Sequence, residues 1–249
     1  MKNKFLNKFS NILFYFSILA FIIAFNFRDN PSGGWYQQFM PNLNGRSISD
    51  IIFFDSLTGY AVTNNLSGGD TGYILKTTNG GDNWNFSFSV NREFTSIGFI
   101  NENIGYACGG SGGGTTYLCK TTNAGLNWFS VNSPSAAKWR DMSVLNNDTL
   151  WLVDSDGLTG GVFRTTNGGA NWQRQLNLFG QNPNSIYIYN RDIGFISNVT
   201  QLYKTTNSGE NWTPIPGGPF TDIYFADSLT GWKVNAPSSV IRKTNDGGD

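Results

Sequence analysis

Apolar residues recur at every second position in short stretches of this chain, and the stretches themselves repeat. In the first stretch, Ile51 and Phe53 lie two positions apart, and the aromatic Tyr60 follows seven positions after Phe53. A spacing of two is typical of a strand face rather than of a helix face. The same apolar positions align without gaps in residues 48–62, 94–108, 139–153, 183–197 and 220–234.

A second pattern, Thr-x-Asn-x-Gly-x-Asn-Trp, follows each of the first four stretches, and an incomplete fifth copy occupies residues 243–249. The Asn side chain can accept hydrogen bonds from backbone N–H groups about two residues further on, and Gly takes a positive φ without steric cost. The pattern therefore predicts a self-satisfied hairpin turn before the fourth strand of each unit, with the Trp folded back as an apolar lid. Its members are Thr77, Asn79, Gly81, Trp84, Thr121, Asn123, Gly125, Trp128, Thr165, Asn167, Gly169, Trp172, Thr205, Asn207, Gly209, Trp212, Thr244, Asp246 and Gly248.

Four short strands in each unit predict an all-β fold, a β-propeller of four-stranded blades. A solenoid is the competing architecture, but its repeats are usually shorter or helical. Five units are visible, and we expect the chain to be part of a six- or seven-bladed ring. The alternative is a five-bladed ring closed by a strand at 35–40, where Trp35 precedes the first unit. The propeller covers 35–249, with repeats at about 48–90, 94–134, 139–178, 183–216 and, incompletely, 220–249.

The composition and the N-terminal segment indicate an exported protein. Gly (30) and Phe (20) are abundant among 249 residues, as expected for many turns and aromatic strands. Residues 1–27 join a lysine-bearing start to an apolar stretch at 12–25. This order predicts a secretory signal peptide, with an uncleaved membrane anchor as the alternative. The rest of the chain is then secreted, periplasmic or on the cell surface.

Charge and residue types exclude several kinds of chemistry. The chain has 17 basic and 17 acidic residues, which does not suggest a nucleic-acid partner held by phosphate neutralisation. Histidine is absent, so the commonest general base and the commonest zinc ligand are missing. We expect no metal, no cofactor and no catalytic residue.

The Thr-x-Asn-x-Gly-x-Asn-Trp pattern resembles the Asp box, or bacterial neuraminidase repeat, with Asn in place of Asp except at Asp246. With the Phe-x-Asp-Ser-Leu-Thr-Gly pattern of residues 53–59 and 225–231, the unit is similar to exported propellers of the photosystem II assembly and stability factor family. This resemblance implies a monomeric, non-catalytic scaffold that binds or assembles a protein partner, in that family a photosystem protein.

Two other functions stay open at this point. Sialidases and xyloglucan-cleaving endoglucanases carry similar repeats, so a secreted carbohydrate-active hydrolase is the first alternative. Asp154 and Asp156 are the only close acidic pair in a loop, although a polar, Gly-rich connection is the simpler interpretation. The second alternative is the repeat region of a larger cell-surface or secreted protein.

Three basic residues form the predicted binding site. Arg46, Arg92 and Lys138 precede the first strands of three successive units. In a propeller these positions lie near the mouth of the central channel, where they suit an acidic or carboxylate-bearing protein partner. Scattered surface charge is the alternative interpretation.

The chain has two cysteines, Cys108 and Cys119, on neighbouring antiparallel strands of one unit. In an oxidising compartment they form either a cross-strand disulfide or two buried thiols.

Overall fold

The described residues fold into five antiparallel sheets that follow one another along the chain. The computed structural model describes residues 34–64, 71–111, 115–134, 138–154, 160–235 and 239–248. Every regular element in these ranges is a strand, and all strands belong to the compact unit Phe39–Asp249. None of the described ranges contains a helix long and apolar enough to cross a membrane.

Each sheet is a meander in which strands pair in chain order. Sheet 1 comprises β1 (Ser47–Phe53), β2 (Gly59–Asn64), β3 (Gly72–Thr77) and β4 (Asn85–Val90), and sheet 2 comprises β5 (Phe94–Phe99), β6 (Gly105–Ser111), β7 (Thr115–Thr121) and β8 (Phe129–Ser130). Sheet 3 comprises β9 (Trp139–Val144), β10 (Leu150–Asp154), β11 (Gly161–Thr165) and β12 (Gln173–Asn177). Sheet 4 comprises β13 (Ser185–Ile188), β14 (Gly194–Ser197), β15 (Leu202–Thr205) and β16 (Thr213–Ile215), and sheet 5 comprises β17 (Asp222–Phe225), β18 (Gly231–Asn235) and β19 (Val240–Thr244).

The turn between the first two strands of a sheet is held by one side chain. In sheet 1, Asp55 Oδ1 accepts hydrogen bonds from the backbone N–H groups of Leu57 (2.6 Å) and Thr58 (2.7 Å). These bonds stabilise the carboxylate and lower the pKa of Asp55. Asp227 makes the equivalent bonds in sheet 5, so the repeated Asp-Ser-Leu-Thr-Gly segment is a local turn.

The repeated loop between the third and fourth strands has the same hydrogen bonds in sheets 1 to 4. In sheet 1, the Thr77 hydroxyl donates to Asn79 Oδ1 (2.9 Å) and accepts from the N–H of Gly81 (2.9 Å). Asn79 Oδ1 also accepts from the N–H of Asn83 (3.0 Å), four positions on rather than the two positions predicted. The reach is longer because two consecutive residues with positive φ stand between these residues, Gly80 and Gly81 in sheet 1, with Ala124 and Ser208 at the first position in sheets 2 and 4.

The glycine that the repeat keeps in this loop is required by packing as well as by its positive φ. Gly125 has φ 73°, and a Cβ there would lie 2.8 Å from the Tyr60 ring of the preceding sheet. The same loop binds across the gap, because Tyr60 Oη (2.7 Å) and Lys76 Nζ (2.8 Å) both donate to the carbonyl of Ala124. The loop therefore closes its own hairpin and also joins one sheet to the next.

Most of the core lies between consecutive sheets. Tyr60, Val62 and Ile74 of sheet 1 pack on Phe94 and Ile97 of sheet 2, and similar clusters join each following pair of sheets. The second strand of an inner sheet is buried on both faces, as the burial of β10 shows. Sheet 1 differs, because Ala61, Leu75 and Trp84 on its other face are buried against Met40 and Leu43 rather than against a sheet.

The structure distinguishes between alternatives that the sequence left open. Residues 35–40 form no strand, and the Trp35 side chain is fully exposed. Cys108 and Cys119 are free thiols. The register pairs Ala107 with Cys119, so the two thiols point to opposite faces of sheet 2, into two different clusters, and cannot be bridged.

Candidate functional site

A β-bulge recurs in the first strand of the first three sheets. The pairing between first and second strands skips Ser49 in sheet 1, Thr95 in sheet 2 and Arg140 in sheet 3. A bulged residue leaves the ladder and its side chain is redirected. These three side chains therefore leave the alternating pattern of their strands at the same place in each sheet.

The bulged residues line one shared cleft of about 550 Å³. Because its walls come from four consecutive sheets, the cleft lies where the first strands converge. Val199 is its apolar wall, and Arg140 is the charged residue among those that line it. The lining residues are Ser49, Asn64, Thr95, Arg140, Asn182, Asn184 and Val199.

The polar groups of the cleft differ in whether they already have hydrogen-bond partners. The Ser49 hydroxyl donates to the carbonyl of Phe94 (2.9 Å), and the Thr95 hydroxyl donates to the carbonyl of Trp139 (2.9 Å). Both hydroxyls thus hold neighbouring sheets together. By contrast, the buried Oδ1 of Asn64 has no hydrogen-bond partner among the described residues. A buried acceptor of this kind costs free energy until a donor reaches it.

Two carboxylates adjoin the cleft but face the gaps between sheets. Asp50 Oδ2 accepts from the N–H of Ile97 (2.9 Å), and Asp141 Oδ2 accepts from the N–H of Ile186 (2.9 Å). Burial raises the pKa of both Asp50 and Asp141, although their backbone partners act in the opposite direction. Their oxygens are occupied by structural hydrogen bonds, so neither carboxylate is placed to act on a bound molecule.

None of the three predicted basic residues lines this cleft. The Arg46 guanidinium donates to the carbonyls of Leu43 and Thr71 and lies 5.1 Å from the Tyr73 ring centroid.

The other two predicted residues also have local partners. Lys138 forms an ion pair with Glu93 (2.5 Å), and Arg92 donates to the carbonyl of Asn91 (2.5 Å). The residue that the sequence analysis missed is Arg140, two positions after Lys138. The sequence does contain a signal for it. The residue equivalent to Arg140 is polar in all five units: Ser49, Thr95, Arg140, Asn184 and Thr221.

The acidic pair considered for the hydrolase alternative is only partly described. Asp154 is buried at the end of β10, and its predicted partner Asp156 lies outside the described residues. No group of three or more Cys, Asp or Glu side chains in the described ranges is placed to hold a metal ion.

These features define the protein as a β-propeller: consecutive antiparallel meanders, packed face to face, with first strands converging on a polar cleft. By sequence, no protein-family model and no curated protein matches the chain.

Solved structures do match, and the two GH74 enzymes among them support the fold. The Niastella koreensis GH74 enzyme is 16% identical with a TM-score of 0.64, covering 81% of this chain and 37% of that one. An ancestral GH74 enzyme is 16% identical with a TM-score of 0.54, covering 85% and 34%. YCF48 bound to D1 peptide is 16% identical with a TM-score of 0.44, covering 82% and 80%. The chain thus spans about a third of the length of the two GH74 enzymes.

Proposed function

We propose that the protein is an exported, non-catalytic β-propeller that serves as a protein-binding or assembly scaffold, similar in role to the photosystem II assembly factors that its repeats resemble. The observation that carries the proposal is the cleft at the convergence of the first strands. It combines the Arg140 guanidinium with the amide oxygen of Asn64, which has no hydrogen-bond partner among the described residues.

The chemistry of the cleft selects a peptide segment with a carboxylate. A guanidinium binds a carboxylate through two parallel N–H groups, and such charge-assisted bonds are the strong ones. The Asn64 oxygen would accept from a peptide N–H, and the amides of Asn182 and Asn184 both donate and accept. The two described carboxylates that adjoin the cleft, Asp50 and Asp141, hold backbone N–H groups, which favours binding rather than acid–base chemistry there.

The proposal is tested with peptides. The full chain is screened against random hexapeptides with free C-terminal carboxylates, and retained peptides are titrated by fluorescence anisotropy against the wild type, Arg140→Gln and Arg92→Gln. We expect Arg140→Gln to weaken binding by about tenfold or more, because a charged hydrogen bond is lost. Arg92→Gln is the matched control, because Arg92 lies outside the lining of the cleft, and it should change binding by less than about twofold.

Two results would contradict the proposal. The cleft is not the binding site if no peptide is retained. The same follows if Arg140→Gln binds the retained peptides as tightly as Arg92→Gln does. Release of sialic acid from sialyllactose, or of reducing sugar from xyloglucan, would instead support the hydrolase alternative. Export is tested separately, by cell fractionation and by sequencing the N-terminus of the mature protein.

A further inference from the structure

One position of the repeat alternates between a carboxylate and a hydroxyl. Ile51, Ile97, Met142, Ile186 and Ile223 occupy equivalent positions in the five first strands. The residues directly before them are Asp50, Ser96, Asp141, Ser185 and Asp222 in sheets 1 to 5. Sheets 1, 3 and 5 are therefore of an Asp type, and sheets 2 and 4 are of a Ser type. The alternation has a structural counterpart in the gaps between sheets.

Each inner Asp joins its own sheet to the following Ser-type sheet. Asp141 Oδ1 accepts from the N–H of Met142 in its own strand (2.7 Å). Its Oδ2 accepts from the Ser185 hydroxyl (2.9 Å) and from the N–H of Ile186 (2.9 Å) in sheet 4.

Asp50 repeats this arrangement at the gap between sheets 1 and 2. It accepts from the N–H groups of Ile51 (2.8 Å) and Ile97 (2.9 Å), and it is hydrogen-bonded to the Ser96 side chain. An Asp-type sheet is thus followed by a Ser-type sheet wherever both carboxylate oxygens are satisfied.

Asp222 has only the first half of this arrangement. Its Oδ1 accepts from the N–H of Ile223 in its own strand (2.8 Å). Its Oδ2 receives no hydrogen bond from any described residue, and the side chain is exposed. Asp222 therefore presents a carboxylate oxygen in the direction in which Asp50 and Asp141 bind a Ser-type sheet.

The apolar surface beside Asp222 is exposed in the same direction. Ile241 of sheet 5 is 73% exposed, whereas the residues at its position in sheets 1 to 4 are at most 4% exposed. Trp232 and Val234 also lie at positions that are buried in every other sheet. We call Asp222, Trp232, Val234 and Ile241 the terminal face. Its three apolar residues and its carboxylate are the groups that one sheet contributes to an interface with the next sheet.

The opposite side of sheet 1 is only partly exposed, because Met40 and Leu43 pack on Ala61 and Leu75 there, and its polar group does not match. Ile51 is 53% exposed, whereas its counterparts in the other sheets are at most 9% exposed. However, Asp50 occupies the position where the terminal face needs a hydroxyl, and the Ile51 N–H is already bound to Asp50. Docking sheet 5 on sheet 1 would oppose two carboxylates, which is unfavourable.

We propose that the terminal face binds a further antiparallel sheet of this repeat type, one with a Ser opposite Asp222. Sheet 1 does not bind there, either from the same chain or from a second copy.

The test adds such a sheet to the full chain. A copy of residues 83–134 is appended after residue 249, which supplies the Asn-Trp, a fourth strand like β4 and a Ser-type sheet. The matched control carries Ser96→Asp in the copy only. We expect hydrogen exchange in β18 and β19 to be about tenfold slower with the Ser form than with the Asp form, because only Ser satisfies Asp222. Asp222→Ala should remove that difference, and equal slowing by both forms would overturn the proposal.

Two measurements on the unextended chain cover the other occupants. If the wild-type chain self-associates in sedimentation velocity, with slower exchange in both sheet 1 and sheet 5, a second copy is the occupant and the proposal is wrong. If neither extension folds, Asp50→Ser gives sheet 1 the missing hydroxyl. We expect this variant to slow exchange in β18 and β19 relative to the wild type, by docking sheet 5 on sheet 1. Unchanged exchange would contradict the proposed role of the alternation.

Discussion

Sheets 3 and 5 have the same pattern of apolar residues and bury it to very different extents. Trp151 in sheet 3 is completely buried, whereas Trp232, at the same position in sheet 5, is 37% exposed. Trp151 also donates from Nε1 to Gln175 Oε1 (2.8 Å) in its own sheet. The two side chains occupy equivalent places in their strands, so the difference comes from the neighbouring sheet. Sheet 3 has one on each side, and among the described residues sheet 5 has a neighbour on one side only.

The comparison shows that stability in this protein belongs to interfaces rather than to individual sheets. An apolar residue contributes fully only when the next sheet covers it, because the hydrophobic contribution scales with the area removed from water. In a repeat protein of this kind, the stability approximates a sum over neighbouring pairs. Substitutions at equivalent positions of inner and terminal sheets should therefore differ in a predictable way.

The largest difference is expected at the aromatic position. Trp151→Ala should lower the free energy of unfolding by about 3–5 kcal/mol, because it leaves a large cavity between sheets 3 and 4. Trp232→Ala should cost only about 1–2 kcal/mol, because part of the ring is already in water. Urea denaturation of both variants measures the difference, and equal losses would show that the terminal face is covered in solution.

A smaller difference is expected in the repeated loop. Thr205→Ala removes the acceptor of the buried Gly209 N–H (2.8 Å) and should cost about 1–3 kcal/mol. Thr244→Ala removes the equivalent bond to Gly248 (2.9 Å) in sheet 5. Its cost should be lower, because the Gly248 N–H is less buried and water can replace the lost acceptor.

Thermal unfolding of the two threonine variants, with Thr205→Ser as the control, checks this prediction. The Ser variant keeps the hydroxyl and should retain most of the stability. If Thr205→Ser were as unstable as Thr205→Ala, packing of the Thr methyl group rather than the hydrogen bond would stabilise the loop.

The smallest effect concerns pH. Burial raises the pKa of Asp141 above its unfolded value, so the folded protein binds more protons than the unfolded chain between those two pKa values. The associated stability is fully present below the unfolded pKa of about 3.9 and is lost as pH rises through the folded pKa.

We therefore expect the wild type to lose more stability than Asp141→Asn between about pH 4 and pH 7. The exposed Asp222→Asn serves as the matched control and should follow the wild-type profile. Denaturant titrations across this range measure the slopes, and parallel profiles for the wild type and Asp141→Asn would contradict the prediction.

The architecture could be predicted from the sequence because it depends on local patterns. Spacing of two, a Gly in each turn and a Trp after each loop are properties of short segments, and the structure confirms the propeller that they predicted. The candidate cleft depends on something else. A β-bulge at Arg140 arises from the register between β9 and β10, and the alternation of either strand alone does not contain that information.

The same limit explains the remaining differences. Cys108 and Cys119 lie on paired strands, but only the register shows that they face opposite sides of the sheet. Likewise, Arg46 precedes the first strand as predicted, but its contacts with Thr71 and Tyr73 depend on where β3 begins relative to β1. Pairing partners, rather than residue patterns, decide where these side chains point.

The meander connectivity also bears on how the chain reaches its native state. Each strand pairs with strands adjacent to it in the chain, and each interface joins sheets that are consecutive in sequence. A folding nucleus can therefore form at any pair of sheets and grow outward one sheet at a time. Such a chain can acquire native structure progressively as it emerges from a ribosome or a translocon, without waiting for its last residues.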